Sequence, residues 1–303
     1  MEIAQYFIAL LPVAILLVLV YKVDTVEKEP IKLIALCFVL GAVSTAVAIV
    51  VETVLDNLFC TIFDSDSLAY IVVEMVVGVA LVEEGCKFAA GVIPSWKSKR
   101  FNYVFDGIVY CVAAALGFAA LENILYVVGD PDWFEIGIMR SILSVPGHAM
   151  DGVFMGVFVG YAKYYKYQGN ISRKRWCMVG AFAAPVLEHG IYDSICSLDF
   201  AGVEIALLTF VGVCYLIAIG VVILSRGKYD KAIALPADPN PIPQAMAFCG
   251  DCGTPVQLGA KFCTACGSAI KPAPVAQANF CGDCGQQLQP GTNFCPTCGK
   301  AVK

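Results

Sequence analysis

The 303 residues are 59% hydrophobic and 15% charged, where a soluble domain carries about 25% charge, so an ordinary soluble globular chain is excluded. The formal net charge of −5 is dispersed, which excludes a concentrated basic surface for nucleic acid. Hydrophobicity fills the chain up to residue 226 and stops at the Pro-rich run of residues 235–243, beyond which the chain is short, polar and rich in cysteine.

Seven apolar segments follow one another at 3–21, 33–51, 67–93, 104–128, 136–162, 176–197 and 203–225. Each reaches the roughly 20 residues that span a hydrocarbon core as a helix. The first has no basic residues before it and no small-residue cleavage site after it, so it is expected to stay as a helix. Basic residues fall in alternate loops: Lys22, Lys28 and Lys32, then Lys97, Lys99 and Arg100, then Lys163 to Arg175, then Arg226 to Lys231. The intervening loops contain no Lys or Arg. The positive-inside rule then predicts an integral membrane protein with its N-terminus outside and its C-terminus in the cytosol. The fold class expected is an all-α polytopic membrane bundle of about seven transmembrane helices, followed by two small four-cysteine modules.

Segment three carries Glu83, Glu84 and Lys87. On a helix Glu83 and Lys87 share a face, and Glu84 points about 100° away. Lys87 either holds a carboxylate ionised at low dielectric or snorkels to the cytosolic surface. The carboxylates are either catalytic or a structural pair, and two of them at membrane depth are costly. Segment four adds Asp106 near its cytosolic end and Glu122 and Asn123 towards the outer side, expected to support the site from behind. Small residues such as Ala113, Ala114, Ala115 and Gly117 allow close helix approach there.

Segment five carries Arg140, near its outer end, and Pro146-Gly147-His148. Arg140 either pairs with Glu122, meets a substrate or snorkels. Pro146 is expected to kink the helix just before His148, and Asp151 stands three residues on, where it can orient the imidazole. Segment six carries His189 and Asp193 at i and i+4, on one face. A lone membrane histidine can be an interhelical hydrogen bond and nothing more. Glu83, His148 and His189, however, each lie ten to fourteen residues from the cytosolic end of their segments, or ~15–20 Å. That shared depth is the strongest argument from the residues for one site, and the groups suit water activation.

Past the linker, Cys249, Cys252, Cys263 and Cys266 repeat as Cys281, Cys284, Cys295 and Cys298, with a period of 32 residues. Each half is a Cys-x-x-Cys-Gly knuckle, in which two thiolates converge on one ion and glycine permits the turn. Two knuckles complete a tetrahedral structural zinc site, and the ion supplies folding energy that so small a core lacks. Disulfides are the alternative, disfavoured in the cytosol. These modules resemble zinc ribbons. Few basic residues flank them, so a cytosolic protein partner is favoured over nucleic acid.

The membrane segments resemble the PrsW-type intramembrane proteases, in the wider group of CAAX-prenyl endopeptidases. The matching pieces are Asp24 with Lys28-Glu29-Pro30, Glu83-Glu84-x-x-Lys87, residues 105–110, Gly117-Phe118-Ala119 with Glu122-Asn123-x-x-Tyr126, Pro146-Gly147-His148-Ala149 and His189-Gly190-x-x-Asp193. Cys111 departs from the expected glycine, and the simplest members of the family lack the ribbons. The resemblance implies hydrolysis of a peptide bond in a membrane protein substrate, in the bilayer of a prokaryotic cell membrane, within regulated proteolysis. By the same resemblance Glu83 is the base on water, assisted by His148. His189 and Asp193 hold the oxyanion or share a metal, and Glu84 orients its neighbours. A catalytic metal at Glu83, His148 and His189 is left open beside a metal-free glutamate mechanism. The domains expected are a protease domain at 1–228, a linker at 229–246, ribbons at 247–270 and 279–303, and a connector at 271–278. Two other functions fit such a chain: a non-enzymatic membrane sensor or adaptor with the ribbons as output, and a proton-coupled transporter. The transporter should show internal repeat symmetry, and none is visible.

Overall fold

The structure, a computed structural model, describes residues 2–234 and, beyond them, short pieces at 246–248, 251–252, 255–257, 262, 266–269, 279–280 and 287–288. The chain divides into two compact units, Met1–Leu235 and Pro236–Lys303.

The first unit is helical throughout. Its helices are α1 (Glu2–Val23), α2 (Ile31–Phe59), α3 (Leu68–Val73), α4 (Leu81–Ser95), α5 (Val104–Val127), α6 (Trp133–Ile142), α7 (Ser144–Tyr167), α8 (Ile171–Cys196) and α9 (Val203–Ser225). A π-helical stretch, Glu74–Ala80, joins α3 to α4 without a break. Among the described residues, five stretches are long and apolar enough to cross a membrane: Ile3–Val23, Ile31–Phe59, Val104–Val127, Trp133–Tyr167 and Val203–Ser225. The two remaining helical stretches, 68–95 and α8, are those that carry the ionisable residues of segments three and six.

Segment five differs from expectation. It breaks at Leu143 into α6 and α7, and Pro146 falls in the first turn of α7. Proline is tolerated there, because a first-turn N–H has no partner within the helix. The break therefore precedes His148 by one turn more than a proline kink would place it.

Helix α5 is the axis of the bundle. It is buried along nearly its whole length and packs against α1, α2, α4 and α7. Its small side chains let neighbouring backbones come close. A Cβ on Gly117 would overlap the carbonyl oxygen of Phe38 on α2, and one on Gly160 of α7 would overlap that of Val104. Gly117→Ala is expected to cost about 1–3 kcal/mol, read as a fall in thermal unfolding temperature. The outer helices keep apolar side chains exposed, Leu208, Leu216 and Leu224 of α9 among them, which suits contact with lipid.

After α9 the chain returns to the start of α5. Val104 N–H donates to Lys231 O at 3.0 Å, Ile233 N–H to Asn102 O at 2.6 Å, and Phe105 N–H to the Asp230 carboxylate at 3.0 Å. Asp106 caps the same turn, accepting from the amides of Asn102 and Tyr103, both at 2.8 Å.

In the second unit two short antiparallel pairs are described, Met246–Phe248 with Pro255–Gln257 and Asn279–Phe280 with Gln287–Leu288. They sit at equivalent points of the 32-residue repeat, just before and after the first knuckle of each copy. Cys252 and Cys266 are described, and both are exposed. Cys249, Cys263, Cys281, Cys284, Cys295 and Cys298 lie outside the described residues, as does most of the expected linker.

Candidate active site

Lys87 is the hub of the membrane site. It is fully buried, so it does not snorkel. An ammonium has three N–H donors, and all three are used. They reach Glu83 Oε2 at 2.9 Å, Glu84 Oε1 at 2.7 Å and His148 Nδ1 at 2.8 Å. The Phe118 ring lies beneath it, 4.7 Å from the ammonium to the ring centroid. Glu83 and Glu84 point apart on a helix, and a lysine at i+4 from one and i+3 from the other spans both.

The hydrogen bonds also fix the His148 tautomer. Lysine only donates, so Nδ1 must accept and the ring proton sits on Nε2, which faces Glu122 Oε2 at 2.7 Å. Glu122 in turn pairs with Arg140 at 2.9 Å, and Arg140 Nε donates to Asn123 Oδ1 at 2.6 Å. Asn123 is anchored to Ala9 O of α1 at 2.7 Å. Of the three accounts of Arg140, pairing with Glu122 is the one observed. It also stacks its guanidinium on Tyr126, 4.1 Å from the ring centroid.

His189 meets the second carboxylate. Its Nδ1 lies 2.8 Å from Glu84 Oε1, and its Nε2 lies 3.1 Å from Asp193 Oδ2 and 3.8 Å from Glu83 Oε2. The His148 and His189 rings meet edge to face, with centroids 5.7 Å apart. Asp151 approaches His189 Nδ1, at 4.0 Å, and not the His148 ring it was expected to orient. Gly190 gives the π-helical stretch room: a Cβ there would come within 2.9 Å of the Val76 side chain. That stretch widens the helix just ahead of Glu83, and such bulges are frequent at functional sites.

A cavity of about 160 Å³ is lined by Val79, Glu83, Glu122, Arg140, His148 and His189, and by Asp151, Glu188, Tyr192 and Tyr215 among others. Glu188, Tyr192 and Tyr215 were given no role from sequence. The signal for Glu188 was present, a carboxylate beside His189 in an apolar run. Asp106 is not brought to the site. It lies with Asp24 and Glu29 near the first turn of α5.

Glu83, Glu84 and His189 each offer a ligand atom, and these atoms lie within 4.8 Å of one another. Glu84 Oε2 is buried without a hydrogen-bond partner. Two carboxylates and an imidazole suit zinc with an open position, so the donor set fits a metal. His148 is not part of this group; its Nδ1 accepts from Lys87 and its Nε2 faces Glu122.

Residues 29–223 match the model of the PrsW family intramembrane metalloproteases, and residues 249–299 match that of the double zinc ribbon. The chain is similar to the protease PrsW of Clostridioides difficile, 31% identical over 214 residues that cover 70% of this chain and 87% of that protein. It is 32% identical over 208 residues to the protease PrsW of Oceanobacillus iheyensis, covering 69% and 89%. To the protease PrsW of Bacillus subtilis it is 31% identical over 182 residues, covering 58% and 74%. No solved structure matches the chain.

Proposed function

Because this chain belongs to the PrsW family of intramembrane metalloproteases, we propose that it hydrolyses a peptide bond of a membrane-associated protein in the cavity between α4, α5, α7 and α8. The observation that carries this reading is the convergence of Glu83, Glu84 and His148 on one buried ammonium beside that cavity, with His189 bonded to Glu84.

Glu83 takes a proton from water as the hydroxyl attacks the scissile carbonyl, and returns it to the leaving amine. It keeps one oxygen for Lys87 and one for water. Lys87 holds both carboxylates and the His148 ring in place, so no reorganisation is needed when charge develops. Arg140 and Glu122 fix His148 from the outer side. His189, clamped between Glu84 and Asp193, directs its ring edge towards the oxyanion. A zinc ion held by Glu84 and His189 beside Glu83 would supply Lewis acidity at this point.

Orientation follows from the basic loops: N-terminus outside, ribbons in the cytosol, where the ribbons bind a protein that controls cleavage. The test is cleavage of a single-span membrane substrate by the reconstituted full chain, compared with Glu83→Gln and His148→Ala. Retained cleavage in both folded variants would sink the reading. Metal content gives a separate check. Elemental analysis of the full chain is expected to find one zinc beyond those of the ribbons, lost in His189→Ala while the ribbon zinc stays.

A further inference from the structure

Among the described residues, a second cluster of buried carboxylates lies where the α1–α2 connection meets the first turn of α5. Asp24, Glu29 and Asp106 are each no more than 2% exposed. Each offers one oxygen, and the three oxygens lie within 4.8 Å of one another. Ligands bound to one ion at ~2.3 Å are at most about 4.6 Å apart, so this is close to coordination spacing. Ionised carboxylates so placed repel one another and need a cation or shared protons.

The described hydrogen bonds of Lys28, Arg100 and Lys163 go to other acceptors. Lys28 Nζ donates to the main-chain oxygens of Tyr21, Lys22 and Asp24. Arg100 pairs with Glu27 at 2.7 Å. Lys163 donates to Ser98 O at 3.0 Å and lies over the Phe101 ring. Neutral donors satisfy only part of the cluster: Tyr110 Oη donates to Glu29 Oε2, and two amides donate to Asp106 Oδ2. Asp24 Oδ2 and Glu29 Oε1 are buried with no hydrogen-bond partner. Orphaned carboxylate oxygens inside a protein are costly, and two of them belong to this one cluster.

We propose that Asp24, Glu29 and Asp106 form a binding site for a hard divalent cation, Mg²⁺, Ca²⁺ or Mn²⁺, distinct from the catalytic cavity. Carboxylate oxygens suit such ions, whereas structural zinc is held mostly by nitrogen and sulfur donors. The ion clamps the loop between α1 and α2 to the turn that starts α5, the axis of the bundle. It leaves the active-site residues untouched, so the site stands or falls independently of the proteolytic function.

The test titrates Mn²⁺ into the full-length, zinc-loaded protein in a neutral detergent at slightly alkaline pH, with bound ion read by electron paramagnetic resonance. The wild type is expected to bind one Mn²⁺ that Mg²⁺ or Ca²⁺ displaces. Glu29→Gln should weaken that binding at least tenfold, whereas His189→Ala should leave it intact. Thermal unfolding of the wild type alone is a second readout: cation at ~100 times its Kd should raise the unfolding temperature by about 5–10 °C. Equal Mn²⁺ binding by wild type and a folded Glu29→Gln, or no rise with any of the three cations, would overturn the proposal and leave a cluster that shares protons.

Discussion

Replacing Glu83 by glutamine is expected to lower kcat by about 10²–10⁴-fold, the contribution of a positioned general base, with little change in KM. Glutamine keeps the shape of the side chain and an oxygen that accepts from Lys87, but it cannot take a proton. The Lys87 ammonium retains Glu84 and His148 as partners, so the variant should fold. In the proposed mechanism Glu83 moves protons during the reaction and does not hold the substrate beforehand, so the loss should fall on kcat. Steady-state cleavage of a reconstituted single-span substrate, alongside thermal unfolding of the same preparation, reads both quantities. Activity within a few fold of wild type would exclude Glu83 as the base. A collapse in unfolding temperature instead would place Glu83 among the structural groups.

Most of the membrane architecture could be read from hydropathy, because a lipid-facing helix must be apolar along its length. Three features could not. The break at Leu143 was hidden because Pro146 reads as a mid-helix kink, yet a proline in the first turn of a helix breaks nothing. The π-helical stretch Glu74–Ala80 has the composition of any apolar helix, and one extra residue in a turn leaves no mark in periodicity. Lys87 near the end of a membrane segment is equally consistent with a snorkelling lysine; its partner His148 is 61 residues away, and only packing brings them together.

The candidate site was more legible than its wiring. Glu83, His148 and His189 share a depth along their helices, and a shared depth survives any rotation of the helices about their axes. Which acid faces which ring depends on those rotations, so Asp151 was assigned to the wrong histidine. Asp106 could have been set aside by arithmetic alone. It precedes Glu122 on the same helix by sixteen residues, or ~24 Å of rise, and cannot serve the same cavity.

Lys87→Met is the change expected to cost the fold most. Removing one partner of a buried ion pair costs about 3–5 kcal/mol, because the other charges are left uncompensated. Here one ammonium compensates two carboxylates and anchors an imidazole. Methionine fills a similar apolar volume but offers no donor, so Glu83 and Glu84 would both lose their shared ammonium. Arginine should not rescue: its flat fork does not match three acceptors arranged around a single nitrogen. The double variant Glu84→Gln/Lys87→Met removes one of the stranded charges and should recover a good part of the lost stability. Thermal unfolding of the three variants in one detergent distinguishes these cases. If Lys87→Met unfolds within a degree or two of wild type, the ammonium is not the hub, and the two carboxylates must be neutralised in another way.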